Sequence, residues 1–177
     1  CGVGRRTCLT LSAYMERLEL VSPHVALGYA TAAFRNDLKA LLTRTGVEGE
    51  NTVFFLEDHQ IVRPEFLELV NSLLSGGEVP GLFTKEELES LMVPLKEQYA
   101  QEGYKHRTLY AFFTARVRRH LHLVLSMDPS NPGFWAKCES NPALFTQCSI
   151  QWIDTWSRES MEAFPSIRLQ QVFDLSE

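Results

Sequence analysis

The sequence of 177 residues predicts an α/β fold, in which helices flank a parallel, doubly wound β-sheet. Short runs rich in apolar residues, typical of buried parallel strands, occur at Leu18–Val21, Val53–Leu56 and 121–126. Segments with helical periodicity lie between them, and strands separated by helical crossovers pair in parallel. The runs at 52–57 and 121–126 both end in polar residues, so we expect them to be adjacent strands with those residues at one edge.

The first third of the chain predicts helix, strand and helix in that order. A helix begins at the glycines of the opening CGVGRRT and continues past Thr7. After the Leu18–Val21 strand, an amphipathic helix runs to about Gly46. Its apolar residues, which recur at helical spacing, are Phe34, Leu38, Leu41 and Leu42.

The middle of the chain predicts one strand and two helical regions. After the Val53–Leu56 strand, Pro64 suits the first turn of a helix that ends at the Gly-Gly pair beginning with Gly76. The T-x-x-E pattern from Thr84 is a capping box, which marks the start of a second helix. Pro94 is expected to kink or divide that helix.

The last third predicts a helix over His106–Arg119, the strand at 121–126 and a short helical turn at Asn141. A last strand is predicted at Ser149–Ile153. A final helix follows from about Ser157. No internal repeat or low-complexity linker is evident.

Composition argues against several functional classes. The net charge is −5, which gives no reason to expect a nucleic-acid partner. No stretch approaches the roughly 18–20 apolar residues of a membrane span, so no membrane partner is expected. The four cysteines form no CxxC pattern or zinc-ligand spacing and are interpreted as reduced thiols of a cytoplasmic protein.

The opening CGVGRRT is a candidate phosphate-binding loop. A P-loop reads G-x-x-x-x-G-K-[ST], and its backbone N–H groups surround the phosphates. Gly2 and Gly4 fit its last glycines, Arg5 stands at the lysine position, and Arg6 stands at the Ser/Thr position with Thr7 one place later. The alternative is a glycine-rich start to a helix with no ligand.

Two acids that end a buried strand are the second candidate element. A P-loop ATPase needs such acids, one for Mg²⁺ and one to orient the attacking water. In VFFLED these are Glu57, expected nearest Mg²⁺, and Asp58, at the water-positioning place. The alternative is a buried strand that ends in solvated acids.

The third candidate element follows the strand at 121–126. Asp128 stands where a polar sensor residue is expected to face the γ-phosphate, with Ser126 as a lesser candidate. An acid at that position repels the phosphate, and an ordinary Asp-Pro turn is the alternative. Lys137 is a candidate for reaching a neighbouring module, against the default of a surface lysine.

The sequence also resembles a known family. The segments FLELVNSLLSGGEVPGLFTKEEL, LHLVLSMDPSNPGF and NPALFTQCSIQWIDTWS are similar to dynein heavy chains, in the fourth AAA+ module of the motor ring. The resemblance covers nearly the whole chain. GVGRRT, LEDHQ and SMDPSN are most similar to the cytoplasmic type 2 (intraflagellar-transport) branch, with the axonemal branch as the alternative.

The resemblance implies a role within a larger motor. Residues 1–177 are implied to be the large α/β subdomain of one AAA+ module, with the preceding strand and the following small helical subdomain outside the chain. The whole motor is implied to move toward microtubule minus ends in cytoplasm and cilium. Its implied partners are neighbouring AAA+ modules, microtubules, dynein intermediate and light chains, and intraflagellar-transport trains.

The resemblance also implies roles for the site residues. The opening loop becomes a degenerate Walker A that binds ATP or ADP, and Glu57-Asp58 becomes a degenerate Walker B. Thr7 and Glu57 are the implied Mg²⁺ ligands, and Asp128 replaces the usual sensor asparagine. Arginine also replaces the Walker A lysine, and the usual order of the two acids is inverted.

Two hypotheses therefore remain open from the sequence. In the first, the chain is a nucleotide-binding ring module with a regulatory or structural role and weak hydrolysis, or none. In the second, it is a structural AAA+ module that no longer binds nucleotide.

Overall fold

The computed structural model describes residues 3–103, 105–153 and 155–174. Twelve elements follow in chain order, with one π-helical turn at Arg44–Glu48 and one 3₁₀ turn at Asp58–Gln60. They are α1 (Arg5–Met15), β1 (Glu19–Val21), α2 (Thr31–Thr43), β2 (Thr52–Glu57), α3 (Pro64–Gly76), α4 (Lys85–Met92), α5 (Leu95–Gln101), α6 (Leu109–His120), β3 (Leu121–Ser126), α7 (Phe134–Ser140), α8 (Ala143–Thr146) and α9 (Arg158–Asp174).

The described strands form one parallel sheet in the order β1–β2–β3. Thr52 is paired with Glu19 on one side and with Leu121 on the other, and Glu57 is paired with Ser126. The prediction that 52–57 and 121–126 are adjacent parallel strands is confirmed. Parallel pairing places the carboxyl ends of β2 and β3 at the same edge of the sheet, so the polar residues after both strands lie near one another.

The central strand β2 is buried along its length. Residues 52–56 are at most 3% exposed, and Glu57 is the first residue of β2 to emerge. Phe34 of α2 stacks on Phe66 of α3 with ring centroids 4.3 Å apart, and Phe54 of β2 packs beside Phe34. This aromatic layer holds α2 and α3 against the sheet and makes β2 the most constrained element of the fold.

The helix predicted to end near Gly46 continues further. Helix α2 passes directly into the π-helical turn Arg44–Glu48. This helical segment ends at Gly49, whose φ is +77°. Arg116 of α6 donates hydrogen bonds to the carbonyls of Gly46 and Val47, at 2.7 and 3.1 Å. These contacts satisfy carbonyls at the end of the helix and explain why it continues past the glycine.

The helices after β2 mostly follow the sequence prediction. Thr84 and Glu87 form the predicted capping box, and the helix is divided at Pro94 into α4 and α5. The next helix begins at Leu109 rather than His106, because Thr108 caps it by accepting a hydrogen bond from the Ala111 N–H at 3.0 Å. Helix α7 was not predicted as a separate element.

The predicted strand at Ser149–Ile153 is wrong for the structure described. Those residues have no regular secondary structure. β3 and this segment both line a cavity of about 1010 Å³. An extended segment forms a strand only when a neighbouring backbone lies within hydrogen-bonding distance, and no described strand pairs with this one. Apolar side chains such as Ile150 and Trp152 are exposed as a result.

No described helix is long and apolar enough to cross a membrane. The described cysteines Cys8, Cys138 and Cys148 are free thiols.

Gly46 provides a direct test of how α6 packs against the π-helical turn. A Cβ placed on Gly46 would lie 2.2 Å from the Phe113 ring and 2.9 Å from Val117. Gly46→Ala is therefore expected to lower the free energy of unfolding by about 1–3 kcal/mol, as overpacked cores do. Chemical denaturation of the chain measures this change.

The matched control is Gly76→Ala at the end of α3, where the nearest atom is the flexible Glu78 side chain at 3.2 Å. It should change stability much less. Equal effects of the two substitutions would contradict the packing described for α6.

Candidate functional site

The candidate site lies where the start of α1 meets the carboxyl ends of β2 and β3. Three basic side chains reach this place, two from α1 and one from α7. Each contacts a group at or just after the end of a strand. The three contacts join Arg5 to Met127, Arg6 to Glu57, and Lys137 to Asp58.

The glycine-rich loop leads directly into α1. Gly4 precedes the helix with φ +78°, a left-handed conformation that glycine adopts without strain. The N–H groups of the first helical turn have no intrahelical acceptor, and the helix dipole there favours anions. Gly2, the other predicted loop glycine, lies outside the described residues. Thr7 is exposed on the first turn.

Trp156 packs over this loop. A Cβ built on Gly4 would meet the Trp156 ring at 3.7 Å, so the indole is in contact range of the glycine. The two residues lie at opposite ends of the chain, and the segment before α9 therefore covers part of the loop.

Arg5 is directed toward the end of β3. Its Nη1 donates a hydrogen bond to the Met127 carbonyl at 3.0 Å. This residue was predicted at the lysine position of the loop, and its charge lies beside Asp128, the predicted sensor residue.

Asp128 is engaged within its own loop. Its Oδ1 accepts a hydrogen bond from the Ser130 N–H at 3.0 Å, and its backbone carbonyl accepts one from Asn131 N–H at 3.1 Å. The Ser130 N–H lowers the pKa of Asp128 below its ordinary value, and the Arg5 guanidinium acts in the same direction. Asp128 therefore stays ionised and adds negative charge at this edge of the sheet.

Glu57 is paired with Arg6. Arg6 Nη1 lies 3.1 Å from Glu57 Oε2, with the arginine side chain 63% exposed and the glutamate 19% exposed. The Glu57 N–H donates to Gln60 Oε1 at 2.8 Å, which stabilises the turn that leaves β2. The acid predicted nearest Mg²⁺ is thus neutralised by the residue that replaces the metal-binding hydroxyl.

Asp58 makes the most extensive contacts of the predicted site residues. Lys137 Nζ lies 2.8 Å from Asp58 Oδ1, and Asn131 Nδ2 donates to Asp58 Oδ2 at 2.8 Å. Lys137, predicted to reach a neighbouring module, makes this contact within its own chain. Asn131 was missed by the sequence analysis. The available signal was an amide residue three positions after Asp128 in SMDPSNP.

Packing of α7 and α8 on α3 places Lys137. The side chain of Asn141 donates to the Lys137 carbonyl at 2.7 Å at the end of α7. The Ala143 N–H at the start of α8 donates to Asn71 Oδ1 of α3 at 2.9 Å. Because α3 begins shortly after Asp58, these contacts fix the lysine relative to the acid.

Of the two predicted Mg²⁺ ligands, Glu57 is already paired with a cation, and Thr7 is exposed on the first turn of α1. Glu57, the carboxylate expected nearest the metal, carries the Arg6 guanidinium at 3.1 Å. A cation so placed repels Mg²⁺ and competes with it for the same oxygen.

The parallel sheet and the glycine-rich start of α1 define the class, a P-loop α/β domain. The chain belongs to the family described as "P-loop containing dynein motor region D4", whose model matches residues 1–176. The recognition of a dynein heavy chain from the sequence is confirmed, as is the P-loop α/β fold class.

Within that family, the chain is similar to cytoplasmic dynein 2 heavy chains. It is 49% identical over 177 residues, 99% of its length, to "Cytoplasmic dynein 2 heavy chain 1" of Chlamydomonas reinhardtii. It is 47% identical over 96% of its length to the protein of the same name from Tripneustes gratilla. Against "Dynein heavy chain, cytoplasmic" of Dictyostelium discoideum the identity is 37% over 90% of the chain. The chain spans about 4% of the length of these dynein 2 relatives.

The ionisation of Asp128 is testable by pH titration. Because its folded pKa is lowered, the stability that it contributes is present above the ordinary Asp pKa of about 3.9 and is lost as pH falls through the lower folded value. Carbon-detected NMR of the side-chain carboxyl should give a midpoint below about 3.9. Arg5→Met should raise the midpoint, and Arg107→Met, at an exposed arginine elsewhere, should leave it unchanged. A midpoint at or above the ordinary value would contradict this account of the loop.

Proposed function

We propose that this chain is a nucleotide-binding module in the ring of a minus-end-directed microtubule motor, with a regulatory or structural role and slow hydrolysis or none. One observation carries the proposal. The start of α1 has the form of a phosphate-binding loop, and the acids beside it, Glu57 and Asp58, are already paired with cations. The first feature favours binding of a nucleotide, and the second disfavours its hydrolysis.

Binding of ATP or ADP is supported by the positive groups at the loop. Gly4 turns the chain into α1, so that free N–H groups of the first turn are available to an anion. Arg5 and Arg6 follow at once, and phosphate oxygens suit the donor geometry of guanidinium groups. Arg5 is proposed to lie near the β-phosphate. The charge of the arginines takes part of the role that a metal ion fills in other P-loop sites.

Slow hydrolysis is supported by the contacts that already occupy the two acids, Glu57 and Asp58. Arg6 is bound to Glu57, while Lys137 and Asn131 are bound to Asp58. At the water-positioning place an aspartate is one methylene shorter than a glutamate, and a displacement of about 1 Å can cost on the order of 10²-fold in rate. The ionised Asp128 further opposes the approach of a γ-phosphate to this edge.

The rest of the motor is proposed from the relatives. As the large subdomain of a fourth module, the chain would contact neighbouring AAA+ modules of the same heavy chain. The names of the dynein 2 relatives support a motor of the cytoplasm. We extend this to the cilium, with microtubules, dynein intermediate and light chains, and intraflagellar-transport trains as partners.

One observation favours a second candidate function, a structural module that binds no nucleotide. The Trp156 ring lies against Gly4 and covers part of the loop. Density for ADP or ATP against Gly4 to Thr7 in an intact motor supports the first function. A loop filled by the indole supports the second.

Arg5 tests nucleotide binding. Arg5→Met in the intact motor is expected to lower the nucleotide occupancy of this module, because it removes one of the two guanidinium groups of the loop. Occupancy is read from cryo-EM density at this loop. Arg107→Met, at an exposed arginine outside the site, is the matched control. Unchanged occupancy in Arg5→Met would contradict the proposed role of Arg5.

Asp58 tests whether hydrolysis at this site drives the motor. Asp58→Asn is expected to lower microtubule-stimulated ATPase only modestly, because the acid is proposed to support little turnover. The same type of change should be far more damaging in the first module, which the resemblance to dynein heavy chains implies to be the main hydrolysis site. A folded Asp58→Asn motor with nearly no ATPase and no motility would show that this site turns over nucleotide, against the proposal.

A further inference from the structure

Asp58 is held by two side chains that no motif of the sequence assigns to it. Lys137 Nζ contacts Oδ1 and Asn131 Nδ2 contacts Oδ2, each at 2.8 Å. We propose that Asn131 and Lys137 form a clamp that restrains Asp58 and keeps hydrolysis at this module slow. Both act through Asp58 and are positioning residues. The inference rests on the proposed function, since it concerns the hydrolytic acid of that nucleotide site.

Asn131 is fixed so that only its donor end faces the acid. Its Oδ1 accepts a hydrogen bond from the Gly133 N–H at 3.0 Å, which leaves the NH₂ group directed at Asp58. The backbone N–H of Asn131 is bonded to the Asp128 carbonyl at 3.1 Å. Asn131 is therefore anchored at two points of the loop after β3, and its side-chain NH₂ group orients the Asp58 carboxylate.

Lys137 supplies the charge of the clamp. Its side chain is 22% exposed and that of Asp58 is 17% exposed, so the pair is largely shielded from water. The Arg6–Glu57 pair is different, with its arginine 63% exposed. Attraction between charges is stronger where water is excluded, so the Lys137 contact is the more persistent of the two.

The clamp acts on the step in which water attacks the nucleotide. In that step the water oxygen forms a bond to the γ-phosphorus, the bond to the β-phosphate oxygen breaks, and the water proton passes to Asp58. ADP and phosphate are the products. An ammonium on Oδ1 withdraws electron density from the accepting oxygens and occupies lone pairs that the water needs. It also neutralises a charge that would repel the phosphates, so the clamp favours retention of nucleotide.

The experiment uses the full heavy-chain motor in which the hydrolytic acids of the other nucleotide-binding modules are replaced by amides. The motor is loaded with ATP labelled at the γ-phosphate, and release of labelled phosphate is followed in a single turnover, per nucleotide bound. Lys137→Met is expected to raise the rate roughly tenfold, which is less than the 10²–10⁴-fold that a general base contributes in full. Its affinity for ATP should fall a few-fold. Asn131→Ala should give a smaller gain in rate.

Three further variants separate the clamp from a merely structural role. Lys137→Arg should restore the parental rate, since it keeps a cation beside Asp58. Adding Asp58→Asn to Lys137→Met should abolish the gain, since the released group is then absent. Lys85→Met, at an exposed lysine at the start of α4, should leave the rate unchanged.

The outcomes are distinguishable. ATP bound by Lys137→Met but hydrolysed no faster than by the parent would overturn the clamp and leave the proposed function intact. A parental motor that retains no labelled nucleotide at this module would overturn both. If Lys137→Met fails to fold, Lys137→Gln replaces it. Faster hydrolysis is again the expected result, and an unchanged rate with ATP bound again overturns the clamp.

Discussion

Parallel pairing of the buried strand β2 with β3 is the constraint on which the rest of the structure depends. Residues 52–56 are enclosed on both faces, and Glu57 is paired with Ser126. The acids after β2 and the loop after β3 must therefore lie at one edge of the sheet. Asn131 and Lys137 reach Asp58 only because this register brings their loop and helix there.

Charge at this edge is compensated within the chain. Arg6 is paired with Glu57 and Lys137 with Asp58, while Arg5 lies beside Asp128. Three cations thus accompany three acids. In a hydrolytic P-loop site the acids must be available to a metal ion and to water. An arrangement in which they are already engaged suits a module that retains its ligand and transmits its presence to the ring.

Much of the fold was predictable, because burial and helical periodicity leave a direct signal in the sequence. The β2 and β3 strands, the capping box at Thr84 and the break at Pro94 are local features. The strand predicted at Ser149–Ile153 failed because pairing depends on a partner backbone, which no local pattern contains. The candidate site residues were predicted from motifs, but their pairings were not. Asn131 and Asp58 are 73 positions apart in the sequence, and their contact depends on the conformation of the loop after β3.

The most direct test of the central claim is the lifetime of nucleotide at this module in a moving motor. Intact motors loaded with radiolabelled ATP would be driven through many cycles with unlabelled ATP and microtubules, and the label remaining at this module would be measured. Our account predicts that label persists there far longer than one motor cycle. Loss of the label at the steady-state rate of the motor would contradict it.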